Sequence, residues 1–290
     1  MKFDFLDKHY RPLLLIPLVL LGISFIIIGL TFSSIGDILY KDVSLKGGLS
    51  ATVVTQTSPT EISSILKEAF PDTSFTIRSI SSFGSSDQEA VIIESGDIAV
   101  DQLRLALESF LKIKFSEDEF SVSETGSSLG SSFYRQMLNA ILFAFGFMAI
   151  VVLITFRSIV PSFVIIFSAF ADIVITISIL DLFAFPVSAA GISALLLLMG
   201  YSIDTDVLLT TRLLRRHDGS VFSRVVSSMK TGLTMTFTSM VAMVVGLIFA
   251  TSPVLHEMFL IILIGLCVDI FVTYLFNGGI LRLYLERRVS

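Results

Sequence analysis

The chain has 290 residues, of which 53% are hydrophobic and only 16% are charged, and its mean hydropathy is +0.86. Ordinary soluble domains carry about 25% charged residues, so this composition excludes a typical soluble protein and indicates an integral membrane protein. The net charge of −5 carries little information, because charges in such a protein are distributed by side of the membrane. No basic and aromatic surface typical of nucleic-acid binding is apparent. The single cysteine, Cys267, excludes an intrachain disulfide and a cysteine-cluster metal site.

The first apolar run, residues 12–32, is long enough to cross a bilayer. Lys2, Lys8 and Arg11 precede it. The run is too long for the core of a cleaved signal peptide, and no clear small-residue cleavage site follows it. We therefore predict that residues 1–32 form a cytoplasmic N-terminus and an uncleaved first transmembrane helix.

Residues 33–132 have a different composition, because Ser, Thr, Asp and Glu return and the apolar residues become periodic. Their pattern predicts the order β-α-β-β-α-β, which is typical of a ferredoxin-like α+β domain. We predict strands at 51–56, 74–80, 89–95 and 119–123, helices at 59–70 and 97–112, and a turn at 81–86. About 100 residues are enough for one compact domain, which we expect to be inserted between the first two transmembrane helices.

A Gly- and Ser-rich segment, residues 126–132, is predicted to be a linker. It contains the string GSSLG, which matches the G-x-S-x-G pattern of a nucleophile elbow. That motif needs a strand before it, a helix after it, and His and Asp partners, yet no histidine is nearby in sequence. A hydrolase is therefore not favoured, and we predict that the chain is not an enzyme.

Five further apolar runs lie in residues 133–290 and predict transmembrane helices two to six. They occupy residues 136–156, 160–180, 186–209, 229–250 and 257–281. Arginine and lysine residues concentrate on one side of this arrangement, whereas the two short loops on the other side carry none. The positive-inside rule therefore predicts a multi-pass cell-membrane protein with six spans, both termini in the cytoplasm and residues 33–132 outside.

Four aspartates fall within the predicted spans: Asp172, Asp204, Asp206 and Asp269. A carboxylate at the centre of a membrane helix costs about 2.5–3.5 kcal/mol, so such a group is a functional candidate that should face other helices or a wet cavity. A carboxyl group in a low dielectric can load and unload protons near neutral pH. We predict a proton relay with Asp204 and Asp206 as the favoured members. The alternative is that these groups only form hydrogen bonds in packed interfaces.

The fourth predicted span carries two of these aspartates and ends in arginines. Asp204 and Asp206 are roughly 200° apart around a helix, so they should face different neighbours. The two predicted stripes consist of Ser202, Asp206 and Thr210, and of Gly200, Asp204 and Thr211. Arg212 is predicted either to pair with one of the aspartates or to anchor the helix at the cytoplasmic membrane interface.

The segment Gly200-Tyr201-Ser202-Ile203, followed by Arg212, and the double glycine Gly47-Gly48 resemble the SecF branch of the SecD/SecF protein-export family, in the resistance–nodulation–division (RND) superfamily. The six-span layout fits this resemblance over nearly the whole chain. The sequence Asp204-Thr205-Asp206 stands where the familiar bacterial form has Asn-Asp-Thr. The family's carboxylate position therefore holds Thr205, and this version resembles the archaeal branch.

The resemblance implies an RND-type half bundle that acts as an auxiliary subunit of the Sec protein-export machinery and draws on the proton motive force. Its implied partners are SecD, the Sec translocation channel, the unfolded polypeptide substrate and the lipid bilayer, with no nucleic acid, cofactor or metal. A non-motor scaffold of the Sec complex and an RND-type carrier of lipids or small molecules are the alternatives. An intramembrane aspartyl protease that pairs Asp172 with a fourth-span aspartate is disfavoured, because the G-x-G-D string of such enzymes is missing.

Overall fold

The computed structural model describes residues 10–71, 73, 75–81, 88–96, 98–116, 119–215, 220–250 and 252–289. Lys2, Lys8 and almost all of the predicted turn at 81–86 lie outside these residues. The chain divides into two compact units. One unit is Lys41–Met137, and the other combines Met1–Tyr40 with Leu138–Ser290.

The first helix, α1, runs over Tyr10–Ile35 and is one of six helices in the described chain that are long and apolar enough to cross a bilayer. The sequence predicted six such helices. The helix ends at Gly36, which has a φ of 76° and whose backbone N–H donates to the Phe32 carbonyl at 2.9 Å. Glycine suits this left-handed position because it has no Cβ to clash.

The unit Lys41–Met137 contains four strands and three complete helices. In chain order these elements are α2 Val43–Lys46, β1 Gly48–Val53, α3 Pro59–Ala69, β2 Phe75–Ser81, β3 Gln88–Ser95, α4 Val100–Leu111 and β4 Phe120–Thr125. The strands form one antiparallel sheet in the order β2-β3-β1-β4. All four predicted strands and both predicted helices are present, and the short helix α2 is an addition that the sequence pattern did not predict.

Alternation of side chains along β1 creates the core of this unit, because every second residue of a strand faces the same side. The buried apolar residues shared by the strands and helices are Leu49, Ala51, Val53, Ile62, Leu66, Val91, Ile93, Leu103 and Leu107. Helix α3 begins where it was predicted, since Ser58 Oγ accepts a hydrogen bond from the Glu61 backbone N–H at 3.2 Å and Pro59 occupies its first turn.

The predicted linker at 126–132 is wrong, because helix α5, Ser127–Phe156, begins inside it. Serines are tolerated in a first helical turn, where backbone N–H groups need no helical partner. A Cβ on Gly130 would lie 2.7 Å from the Gly47 backbone nitrogen, so glycine permits this close approach. Strand β4 and helix α5 do flank the GSSLG string, but no histidine among the described residues forms a hydrogen bond with it.

The remaining helices complete the unit that combines Met1–Tyr40 with Leu138–Ser290, which we call the membrane unit. They are α6 Ile159–Leu182, α7 Ala189–Arg215, α8 Val221–Phe249, α9 Pro253–Phe271 and α10 Gly278–Val289. A π-helical turn, Val272–Asn277, joins α9 to α10, so the sixth span continues from Pro253 to Arg287. Helices α6, α7 and α9 are at least half buried over their most apolar stretches, whereas α1, α5 and α8 are largely exposed. Helices α6, α7 and α9 therefore form the interior of this unit.

Close packing between α7 and α9 depends on a glycine in each helix. A Cβ on Gly265 would lie 2.1 Å from Leu198 Cδ2, and a Cβ on Gly191 would lie 2.2 Å from Glu257 Oε1. Small residues allow membrane helices to approach each other closely. These two contacts fix how α7 crosses α9, and so they fix which polar side chains meet between the two helices.

Candidate functional site

Three carboxyl groups come together inside the membrane unit. Asp172 lies on α6, Asp206 on α7 and Asp269 on α9, and no more than 1% of any of these residues is exposed. Asp172 lies close enough to both of the others for their negative charges to repel one another when ionised. The structure therefore unites three of the four aspartates that the sequence singled out, and we call them the carboxyl cluster.

Serine and threonine side chains of α7 contact two members of the cluster. Ser202 Oγ donates to Asp172 Oδ2 at 2.5 Å, which links α7 to α6. Thr205 Oγ1 lies 3.2 Å from Asp269 Oδ2 and 2.8 Å from the Ser202 backbone oxygen. Its single proton can serve only one of these acceptors at a time.

The π-helical turn after α9 provides the contacts to Asp206. Asn277 Nδ2 donates to Asp206 Oδ1 at 2.7 Å. Thr273 Oγ1 lies 2.9 Å from the same oxygen and 3.0 Å from Asp269 Oδ1. Thr273 therefore sits between two carboxyl groups with one proton to donate. Its bond can change from one carboxyl to the other without any change in the backbone.

Neither Thr273 nor Asn277 was singled out from the sequence. Both are polar residues in an otherwise apolar span, and that was the only signal available. Single π-helical turns are frequent at functional sites. The turn brings both residues onto Asp206, and each is fully buried.

Several oxygen atoms of the cluster have unused bonding capacity. Within the described residues, Asp172 Oδ1, Asp206 Oδ2 and Asn277 Oδ1 are buried without a hydrogen-bond partner. Most buried polar atoms in proteins have a partner, so such atoms call for an explanation. These three are acceptors: a proton could bind either carboxyl oxygen, and a water molecule could donate to any of the three.

No basic side chain neutralises the cluster in the part of the chain that the structure describes. Arg212 was predicted to pair with an aspartate or to anchor the inner interface. Its Nη1 atom donates to the Ser227 backbone oxygen and to Thr231 Oγ1, each at 2.8 Å. Arg212 therefore connects α7 to α8, and it forms no ion pair with any aspartate that the structure describes.

Asp204 does not join the cluster. It is exposed on α7, whereas Asp206 two residues later is completely buried. The predicted angular separation of the two aspartates is confirmed, and Ser202, Asp206 and Thr210 share the buried stripe. No described helix of this chain covers Asp204, so the expectation that it faces another helix or a wet cavity stays a prediction.

The residues that carried the family resemblance have different surroundings. Ser202 contacts the cluster, whereas Gly200 is exposed and Tyr201 is half-buried. Gly47 and Gly48 belong to the other unit and have φ angles of 87° and 126°, which favour glycine. A Cβ on Gly48 would lie 2.5 Å from the Ser95 backbone oxygen, so this glycine is needed where β1 meets β3.

Comparison with known proteins gives consistent matches. The family described as "Protein export membrane protein SecD/SecF, C-terminal" matches residues 107–287. The chain is 36% identical to the protein-export membrane protein SecF of Pyrococcus furiosus, over 96% of this chain and 92% of that protein. It is also 36% identical to the SecF protein of Methanothermobacter thermautotrophicus, over 98% of this chain and 96% of that protein.

A solved structure shares the fold. The structure of SecDF from Thermus thermophilus, described as a translocon-associated membrane protein, superposes with a TM-score of 0.79 at 16% sequence identity. The match covers 99% of this chain but only 39% of the SecDF chain. On the strength of the family match and the SecF relatives, the chain belongs to the SecD/SecF family of protein-export membrane proteins, on its SecF side.

Proposed function

We propose that this chain is an auxiliary subunit of the Sec protein-export machinery that works with SecD and uses the proton gradient through Asp172, Asp206 and Asp269. The observation that carries this proposal is the buried carboxyl cluster, which has spare acceptor oxygens and only hydroxyl and amide donors around it. The names of the SecF relatives support a role in protein export.

Buried charge is the physical reason for assigning protons to the cluster. Three ionised carboxylates in a low dielectric without a cation would be very unfavourable, so such a group exchanges protons instead of holding full charge. Each proton that enters or leaves changes which carboxyl accepts from Thr273 and whether Asp269 accepts from Thr205. These bonds join α7 to α9, and the bond from Ser202 to Asp172 joins α7 to α6, so proton exchange would alter the packing of the three helices.

The comparison with SecDF supports a partnership. This chain corresponds to about two fifths of the SecDF chain, and SecD would supply the second half of a complete bundle. The exposed Asp204 supports the same proposal, because a carboxylate facing lipid is costly and a partner helix would cover it. The Sec translocation channel and the unfolded polypeptide are the further proposed partners.

The unit Lys41–Met137 would act on the emerging polypeptide. Its strand order and its alternation of strands and helices support the ferredoxin-like class predicted for residues 33–132. The arginine distribution supports an extracytoplasmic position for this unit and cytoplasmic positions for both termini.

Asparagine substitutions test the proton role. Asp172→Asn, Asp206→Asn and Asp269→Asn each remove a proton-exchanging group while they keep its shape. We expect each to reduce export of a secreted reporter by at least about tenfold in cells that lack the natural chain, a loss equivalent to about 1.4 kcal/mol. Co-purification with SecD should persist. Asp101→Asn, at an exposed position of α4, is the control and should export normally.

The alternatives give different results. Normal export by all three cluster variants would contradict the proton role and would favour a non-motor scaffold. Loss of both export and co-purification would also favour the scaffold, since assembly would then be the property that the aspartates support. Full export of the reporter by cells without the chain would contradict a role in protein export and would favour the carrier of lipids or small molecules.

A further inference from the structure

A crevice with a cavity volume of about 60 Å³ lies between α1, α8, the π-helical turn and α10. Its wall is almost entirely apolar and includes Leu13, Val225, Val226, Met229 and Leu275. Ligand sites in proteins are mostly apolar with a few polar groups that orient the ligand. The crevice has the composition of such a site.

The polar groups of the crevice are concentrated around one arginine. The Arg282 guanidinium carbon lies 4.0 Å from the centre of the Tyr10 ring and 5.4 Å from that of Phe222. Arg282 Nε donates to Glu286 Oε1 at 2.7 Å, and the Tyr10 hydroxyl donates to Glu286 Oε2 at 2.6 Å. Aromatic stacking and the carboxylate hold the guanidinium in one place at the wall of the crevice.

Among the residues that the structure describes at this position, positive charge predominates. Arg11 lies beside Tyr10, with its Nε 3.3 Å from the Tyr10 hydroxyl, and Arg282 contacts Glu286, so two guanidinium groups lie near one carboxylate. The same end of the membrane unit carries Arg212 and Arg215 in the last turn of α7. Basic pockets between membrane helices attract anionic lipid head groups. A neutral or positive head group would gain nothing from this excess of charge.

The neighbouring helices determine which kind of molecule reaches the crevice. Helices α1 and α8 form two of its walls, and both present largely exposed apolar surfaces that a bilayer would surround. An acyl chain can therefore enter sideways from the membrane, while a phosphate stays at the end of the helices beside the arginines. A water-soluble anion would leave the apolar wall uncovered.

We propose that this crevice binds one anionic phospholipid. Its phosphate accepts charge-assisted hydrogen bonds from Arg282 and Arg11, and one acyl chain lies along Leu13, Val226 and Met229. The lipid then joins α1 to α8 and α10, which lie far apart in sequence. This site is separate from the carboxyl cluster, and the proposal does not depend on proton transport.

Native mass spectrometry of the purified full chain tests the proposal with two phospholipids that share the same acyl chains. Both head groups carry a phosphate, but the choline cation of phosphatidylcholine would be repelled by the two guanidinium groups. We therefore expect phosphatidylglycerol to be retained about tenfold more tightly than phosphatidylcholine. Arg11→Gln should remove most of this difference. Arg215→Gln, on the same side but outside the crevice, should keep it.

Filling the crevice provides a second, independent measurement. Val226→Trp and Leu13→Trp place a large ring in the space of the acyl chain, and each should abolish retention of phosphatidylglycerol. Two positions on different helices are used so that poor folding of one variant leaves the other available. Equal retention of the two lipids by the natural chain would overturn the proposal. So would undiminished retention in a correctly folded Trp variant.

Discussion

At the scale of single residues, Thr273 decides how the carboxyl cluster is connected. Its hydroxyl lies within 3.0 Å of oxygens from both Asp206 and Asp269, and it can donate to one of them at a time. The carboxyl that loses this bond must be neutralised or find another donor, because it is buried. Thr273 therefore links the hydrogen bonding of Asp206 to that of Asp269.

Thr273→Val removes this donor and changes the side-chain shape very little. We expect a loss of about 1–3 kcal/mol in stability, since a buried acceptor is left without its partner. The loss should appear as a lower midpoint of thermal unfolding of the chain in detergent. Thr234→Val is the matched control, because the exposed Thr234 hydroxyl only donates to the Lys230 carbonyl of its own helix. An equal midpoint for both variants would contradict the role of Thr273.

Glu94 is a buried acid in the unit Lys41–Met137, where it pairs with Arg78 and is 3% exposed. Burial and then the nearby charge of Asp42 raise the pKa of Glu94 from its ordinary 4.5 to about 7, although Arg78 opposes this shift. An acid with a raised pKa in the folded state stabilises the fold below its unfolded pKa. That stability is lost as pH rises towards the folded pKa.

We therefore expect the sheet of this unit to lose roughly 2–3 kcal/mol of stability between pH 4.5 and pH 7. Hydrogen exchange of the β1 and β3 amides in the full chain, corrected for intrinsic rates, measures this change. Glu94→Gln cannot ionise and should remove most of the pH dependence. Protection that increases with pH in the natural chain would show that the pKa shift has the opposite sign.

The sequence predicted the residues of the cluster better than their arrangement. Asp172, Asp206 and Asp269 could be chosen because a carboxylate within an apolar span has a high cost. Their meeting could not be predicted, since it depends on how α6, α7 and α9 cross. The crossing of the helices also decides the surroundings of Asp204. The spacing predicted that Asp204 faces away from Asp206, but it could not predict that no helix in the described part of this chain covers Asp204.

At the scale of helices and strands, the crossing of α7 and α9 determines whether the cluster exists. Gly265 leaves room for Leu198, and without this close approach Thr205 and Asp206 would move away from Asp269 and Thr273. Polar contacts in the site therefore depend on an apolar contact nearby. A change at Gly265 should affect the site even though this glycine touches no polar group of the cluster.

Gly265→Ala should destabilise the membrane unit by about 1–3 kcal/mol, because the added methyl group overlaps Leu198. The second change Leu198→Ala should recover part of this loss, and thermal unfolding of the two single variants and the double variant measures the coupling. Gly146→Ala on α5 meets no atom within 4 Å and should be neutral or slightly stabilising. Purely additive losses at Gly265 and Leu198 would rule out the proposed overlap.

Element boundaries show where local sequence rules were sufficient. Helix α3 was predicted within one residue, since Ser58 and Pro59 are local start signals. The start of α5 was missed because Gly and Ser usually indicate a linker, whereas here Gly130 is needed for a close approach to Gly47. Local rules fail where a glycine serves a contact with a distant part of the chain.

At the scale of the whole molecule, the exposed face of α7 is where we expect the proposed partner SecD to bind. Gly200 and Asp204 are both exposed on this helix, and a carboxylate within a membrane span is costly without a polar neighbour. The solved SecDF chain is more than twice as long as the segment that this chain matches. In the proposed complex, SecD would cover this face and supply the polar neighbour.

Asp204→Leu should therefore weaken co-purification with SecD by about tenfold or more, as the loss of one buried polar contact would do. Asp204→Glu keeps the carboxylate and should retain most of the binding. Thermal stability of the isolated chain should change by less than about 0.5 kcal/mol, because the residue is exposed there. Unaltered binding by the leucine variant would place the partner on another face.

The π-helical turn also makes the sixth span sensitive to its length. A π-helical turn holds one residue more than an α-helical path would need, so Val272–Asn277 contains an insertion that the rest of the span must tolerate. Deleting one residue after Thr273 would let a regular helix form and would leave the helix beyond it in nearly the same orientation, because the π-helical turn absorbs its extra residue locally. Thr273 and Asn277 would then stand three residues apart instead of four, so they could not both keep their contacts with Asp206, while Asp269 would keep its place. A change of length in this one turn would thus alter the polar site without replacing an acidic group.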